Sequence, residues 1–312
     1  MKKLMILIAL VAVAIVVTFF IVSGKTGVFH KKDIMEETET TEGVKPSSES
    51  SSEHQTEQVS EEVKNVSEDP TTEEITTEST TESTVESTSV ERVIVLDPGH
   101  QAKIDNTKEP IGPGAKKSKT VAGVGTAGVA TKTPEYELVL QLSVKLKAEL
   151  ENRGYKVLLT RDTNDIAISS KERADIANNA NADAFIRIHA NGSNDSSVTG
   201  AMTICITKNN PYVSVTGQDY NKSYALSECI LNKLVENTGT RKEHIWETDS
   251  MSGNNWSSVP TTLVEVGYMS NPEEDKLMAT DEYQKKIVDG IANGVDDYVE
   301  KQLNVEVNET ER

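Results

Sequence analysis

Three short apolar runs, each ending in a residue able to hold a proton or a metal, limit what this chain can fold into. Val93-Ile94-Val95-Leu96 leads into Asp97-Pro98-Gly99-His100. Four apolar residues in succession read as a strand buried on both faces, and Asp-Pro-Gly stops it with turn chemistry. Phe185-Ile186-Arg187-Ile188 ends likewise in His189-Ala190-Asn191-Gly192, and Thr262-Leu263-Val264 ends in Glu265-Val266-Gly267. In open α/β sheets, ligands bind at the carboxyl ends of the strands. A single histidine there is more often a surface or core residue than a ligand. Two at equivalent strand ends, with a carboxylate at a third, make a metal-site candidate.

The segments between these runs alternate in period. Thr133-Pro134-Glu135 opens a helix, with Thr133 as cap and Pro134 in the first turn, and Gly154 ends it after about Arg153. At about 100° per residue, Leu138, Val139, Leu142, Leu146 and Leu150 form one stripe with Glu135 at its centre and Glu137 opposite. Glu135 therefore points towards a sheet, or else is simply a favourable charge at a helix N-terminus. Tyr155–Thr160 and Ala201–Thr207 read as further strands. Ser170–Asn179, Ser223–Asn237 and about Asp281–Lys301 read as helices. Such alternation implies an α/β fold: one three-layer domain with a twisted, mostly parallel mixed sheet flanked by helices. Residues 101–132 read as one long loop, with His244 in another beside Trp246 and Trp256.

Ahead of this domain, placed at 92–303, the composition changes twice. Met1-Lys2-Lys3 precedes an apolar run from Leu4 to Val22, nineteen residues that span about 28 Å as a helix and approach the hydrocarbon thickness. Residues 1–25 are expected to be an uncleaved membrane anchor with the remainder outside. A cleaved signal ending near Ser23-Gly24 is the rival reading. Residues 33–91 carry eighteen Asp/Glu against two Lys and almost nothing apolar. Segment 26–91 is therefore expected to be a disordered Ser/Thr/Glu-rich tether averaging roughly 45 Å as a coil. Residues 304–312 read as an acidic tail. The net charge of −18 leaves no basic patch for nucleic acid. Cys205 and Cys229 either pair outside the cell or are two buried thiols, with the thiols favoured.

Asp97-Pro98-Gly99-His100, Glu135 at a helix start, Ile188-His189-Ala190-Asn191-Gly192 and Val264-Glu265-Val266-Gly267-Tyr268-x-Ser270-Asn271, in that order, resemble the zinc-dependent N-acetylmuramoyl-L-alanine amidases of the type 3 cell-wall hydrolases. The resemblance covers roughly residues 92–302. It implies one Zn²⁺ held by His100, Glu135 and His189, with Glu265 as acid/base. It also implies peptidoglycan as substrate, cut between N-acetylmuramic acid and L-alanine. The chain departs from the pattern in a longer loop after His100, in Arg187 where a small residue is common, and in Lys242-Glu243-His244 where many members carry Arg-Gly.

The residues support this chemistry independently. A metal with three protein ligands keeps a position for water, and Glu265, set among apolar neighbours that should raise its pKa, is placed to move the water's proton. Pairing with a cation is the plain alternative for Glu265. Asn191 and His244 are weaker candidates for substrate contact, Asn191 serving equally as a turn former with Gly192. Arg161 and Arg173 are expected to tie loops to helices by ion pairs. Trp246 and Trp256 line either a glycan groove or the core. The expectation is a monomeric, membrane-tethered enzyme acting in the wall space. A catalytically silent wall-binding or regulatory module, and a zinc peptidase acting on cross-links, are the alternatives.

Overall fold

A computed structural model describes residues 91–303. The expected anchor, the tether up to residue 90 and the acidic tail lie outside the described residues. Among the described residues, no helix is long and apolar enough to cross a membrane.

In chain order the elements are β1 (Val93–Pro98), β2 (Asp105–Pro110), β3 (Ser118–Ala122), α1 (Glu135–Asn152), β4 (Lys156–Leu159), α2 (Ser170–Asn179), β5 (Ala184–Asn191), β6 (Ala201–Cys205), α3 (Val213–Thr216), α4 (Tyr220–Thr238), β7 (Lys242–Glu247), α5 (Ser252–Trp256), β8 (Thr261–Tyr268), α6 (Pro272–Met278) and α7 (Asp281–Tyr298). Six strands form one sheet in the order β4-β1-β5-β8-β6-β7. β4, β1, β5 and β8 run parallel, β6 is antiparallel to β8, and β7 is parallel to β6. The expected mixed, mostly parallel sheet is present.

The apolar runs become central strands because alternate residues serve opposite faces. Ile94, Leu96, Ile186, Ile188, Val264 and Val266 pack in one cluster with Leu142 and Leu146 of α1, Ile230 of α4 and Ile291 of α7. Val95 and Phe185 face the other way, onto Ala174 and Ala177 of α2. Helices thus cover both faces, and β1, β5 and β8 carry their carboxyl ends to one side. Local chemistry sets the helix starts. Ser169 and Glu172 make a reciprocal capping box on α2, and Asn271 caps α6 with Pro272 in its first turn.

Three expectations need correcting. Residues 101–132 are not one loop: β2 and β3 pair antiparallel as a hairpin with a register shift between Asp105 and Lys108. Asp-Asn-Thr-Lys-Glu-Pro has no apolar alternation, so its own pattern does not announce a strand. The hairpin is held from outside. Glu109 accepts the N–H groups of Ser170 and Lys171, while Asn255 and Trp256 donate to the carbonyls of Ile111 and Pro110. His244 and Trp246 lie in β7, not in a loop, and Trp256 ends a short helix. Thr133 does not cap α1. Pro134 is the boundary residue, and the Glu135 N–H is satisfied instead by the Thr126 carbonyl at 2.9 Å.

Candidate metal centre

His100, Glu135 and His189 converge, with one ligand atom of each lying within 4.8 Å of the others. The strand end of β1 delivers His100 in a left-handed backbone conformation, φ +55°. Its Nδ1 lies 3.3 Å from the Gly123 carbonyl. With the proton on Nδ1, Nε2 keeps its lone pair and lies 3.4 Å from Glu135 Oε1. Glu135, the first residue of α1, is 4% exposed at the head of the stripe Leu138, Val139, Leu142, Leu146, Leu150. Its Oε1 also meets His189 Nδ1 at 3.1 Å and the Ala190 N–H at 3.2 Å, while Oε2 accepts the Thr126 N–H at 2.9 Å. The two imidazoles stand edge to face, with centroids 4.9 Å apart.

Close approach leaves no room for side chains around this cluster. A Cβ on Gly99 would collide with the His189 ring, and one on Gly125 with Glu135 Oε2 and the His100 ring. Gly125 also sits at φ +76°, where a glycine is at ease.

The charge states suit a cation. Burial alone would raise the Glu135 pKa. The adjoining His100, the His189 ring and the Thr126 N–H outweigh it and hold the carboxyl below its usual range. Burial pushes the His189 imidazole below its ordinary value despite its contact with Glu135, so it is neutral at pH 7. The His189 Nε2 atom, the ring nitrogen that does not meet Glu135, is buried with no hydrogen-bond partner. Ligand atoms about 2.0–2.1 Å from a tetrahedral Zn²⁺ lie about 3.3 Å apart, which the 3.1 and 3.4 Å separations match. Donor types and spacing fit zinc, which suits a set of two nitrogens and one oxygen.

Glu265 stands beside this cluster. It pairs in register with His189 across β5 and β8 and with Met202 across β6, and it is half-buried. Registered partners project from the same sheet face, so its side chain shares that face with the His189 ring. Asn191 ends β5 with its side chain buried. Its Oδ1 accepts the Gly192 N–H at 2.8 Å and its Nδ2 faces Met202 Sδ, so turn formation is its visible task. His244 is exposed on β7, with β6 lying between it and Glu265.

Behind the centre lies a polar cluster of which the sequence reading foresaw only the ion pair of Arg173. Asp97, fully buried, pairs with Arg173 at 2.6 Å and Arg187 at 2.9 Å and accepts the Thr160 hydroxyl at 2.6 Å. Burial would raise the Asp97 pKa, but the two guanidinium groups hold it far below the usual carboxylate range. Arg173 also donates to the carbonyls of Pro98 and His100. Arg161, expected to form an ion pair, forms none among the described residues and binds carbonyls instead. The signal was Arg187 itself, a charge within the otherwise apolar run Phe185–Ile188, which demands a buried counter-charge. The tryptophans pack in the two smaller core clusters, and both cysteines are buried free thiols.

The family profile described as N-acetylmuramoyl-L-alanine amidase matches residues 94–297. The chain is 25% identical over 245 residues to the N-acetylmuramoyl-L-alanine amidase AmiA of Salmonella typhimurium, covering 68% of this chain and 77% of that protein. It superposes on the crystal structure of N-acetylmuramoyl-L-alanine amidase from Clostridium difficile 630 with a TM-score of 0.57 at 25% identity, over 69% of this chain and 100% of that one. For the N-acetylmuramyl-L-alanine amidase Ami1 of Mycobacterium abscessus the TM-score is 0.59 at 25% identity, over 67% and 98%.

Proposed function

The chain belongs to the N-acetylmuramoyl-L-alanine amidase family, and from that premise we propose that it is a zinc-dependent peptidoglycan hydrolase. It cuts the amide joining the lactyl carbonyl of N-acetylmuramic acid to the amine of L-alanine. The observation that carries the reading is the convergence of His100, Glu135 and His189 with Glu265 on the adjoining strand.

His100, Glu135 and His189 would hold one Zn²⁺, which when bound lowers the pKa of a water molecule towards 7 and polarises the scissile carbonyl. Glu265 accepts the proton released as water attacks that carbonyl. It returns the proton to the departing nitrogen, so that the C–N bond breaks to a lactyl carboxylate and a free L-alanine amine. The Gly123 carbonyl holds the His100 ring, and the Thr126 and Ala190 N–H groups hold the Glu135 carboxylate. Asn191 and the exposed His244 are proposed substrate contacts.

The enzyme is further proposed to act as a monomer in the wall space, tethered to the membrane through residues 1–25. The apolar run Leu4–Val22 and the acidic, Ser/Thr-rich segment after it support that reading. The test is digestion of purified peptidoglycan by the full chain, with and without a chelator. New L-alanine amino termini and lactyl-ended glycans, lost on chelation and restored by zinc, are expected. Peptide cross-link cleavage alone would identify a peptidase, and wall binding without cleavage a silent module.

A further inference from the structure

The proposed chemistry leaves a buried arginine without a task. Arg161, two residues beyond β4, is 2% exposed and pairs with no carboxylate among the described residues. Burying a guanidinium without a counter-ion is unfavourable unless its N–H groups are all satisfied, and here they are. Nε donates to the Pro98 carbonyl at 2.9 Å, and Nη1 donates to Asn164 Oδ1 at 2.8 Å and the Thr163 carbonyl at 3.3 Å. Nη2 donates to the Gly99 carbonyl at 2.8 Å and the Tyr136 carbonyl at 2.9 Å.

The last two acceptors are the informative ones. Gly99 immediately precedes His100, and Tyr136 immediately follows Glu135. A single nitrogen therefore joins the residue before one proposed ligand to the residue after another. These segments have no strand pairing or shared helix to fix their spacing, since one leaves a sheet and the other opens a helix. The His100 backbone also lies in the left-handed region, which a residue other than glycine keeps only when its surroundings impose it. Arg173 anchors the far side of the same turn through the Pro98 and His100 carbonyls. A lysine could not replace this span, because its three donors radiate from one point while the guanidinium presents a rigid planar fork.

We propose that Arg161 is a positioning residue for the metal centre, fixing the separation of His100 from Glu135 and thereby the affinity and coordination geometry of the bound ion. The proposal rests on the zinc reading above.

The test uses the full chain and three variants: Arg161→Lys, Arg161→Gln and, as comparator, Arg153→Gln. Arg153 ties α1 to α7 through Asn293 and Asp296, away from the centre. Zinc affinity is read by competition with a chromophoric chelator, and geometry by the ligand-field spectrum of the Co²⁺-substituted protein. Thermal melts of the metal-free proteins report folding. Both Arg161 variants are expected to fold, to bind zinc about 10–100-fold more weakly, as loss of outer-sphere support does, and to change the Co²⁺ spectrum. Arg153→Gln is expected to melt lower and leave both metal readouts unchanged. Folded Arg161 variants with the parent's affinity and spectrum would overturn the proposal. Failure of both to fold would also overturn it, by making Arg161 a general structural prop. A parent chain that binds no zinc would overturn the underlying reading instead.

Discussion

Glu265 lies opposite His189 in register on the adjoining parallel strand, so the proposed base and a proposed metal ligand leave the same sheet face side by side. The backbone ladder therefore fixes the spacing between them. Replacing Glu265 removes the proton carrier and leaves the three ligands in place. Glu265→Ala is expected to retain the parent's zinc content and lose about 10²–10⁴-fold in kcat, the usual contribution of a general acid/base. Metal analysis and muropeptide release on the same preparation check it. Loss of zinc from that variant would place Glu265 among the ligands.

Asp97 is expected to set part of the acid limit of stability. Its carboxyl is held far below the usual range by Arg173 and Arg187, whereas in the unfolded chain it titrates near about 4. A depressed folded pKa stabilises fully above the unfolded value and is lost as pH falls towards the folded one. Parent stability should therefore decline below about pH 4. Asp97→Asn leaves two buried guanidinium groups facing a neutral amide and should cost about 3–5 kcal/mol at neutral pH. The variant should also lose part of the acid slope in denaturation curves taken across pH 2–7.

Gly99 tests how tightly the His189 ring is held. An added Cβ would overlap the imidazole, and with Arg161 and Arg173 pinning the turn the ring is the part that must move. Gly99→Ala is expected to stay folded by circular dichroism and to bind zinc about 10–100-fold more weakly.

Asp275 holds the segment that supplies the Thr126 N–H to Glu135. Its carboxylate accepts the N–H groups of Ala130 and Thr131 and the Thr131 hydroxyl, and Gly128 makes room for it. Asp275→Asn should weaken these charge-assisted bonds. Hydrogen exchange should speed up at residues 126–131, while β1 and β5 keep the parent's protection. Unchanged exchange there would mean that the segment is held by other contacts.

The parts legible in the sequence are those whose chemistry is local. Val93–Leu96, Phe185–Ile188 and Thr262–Val264 carry their burial in their own composition, and the position of Glu135 on an apolar stripe foretold its inward direction. The hairpin was not legible, because its strands are polar and its anchors, Ser170, Asn255 and Trp256, lie about 60 to 145 residues away. The roles of the Gly123 carbonyl and the Thr126 N–H leave no mark in the sequence, since every residue but proline offers both groups. Arg161 and Arg173 were visible as charges. Their acceptors, carbonyls around the Pro98–His100 turn for both and the Asp97 carboxylate for Arg173, are brought near only by the fold.

Zinc X-ray absorption on the purified full chain, with metal content per chain, tests the central claim most directly. The account predicts one ion per chain with two imidazole nitrogens and one carboxylate oxygen from the protein, and loss of that ion on replacing His100, Glu135 or His189 by alanine. A spectrum without imidazole, or zinc retained unchanged by all three variants, would contradict it.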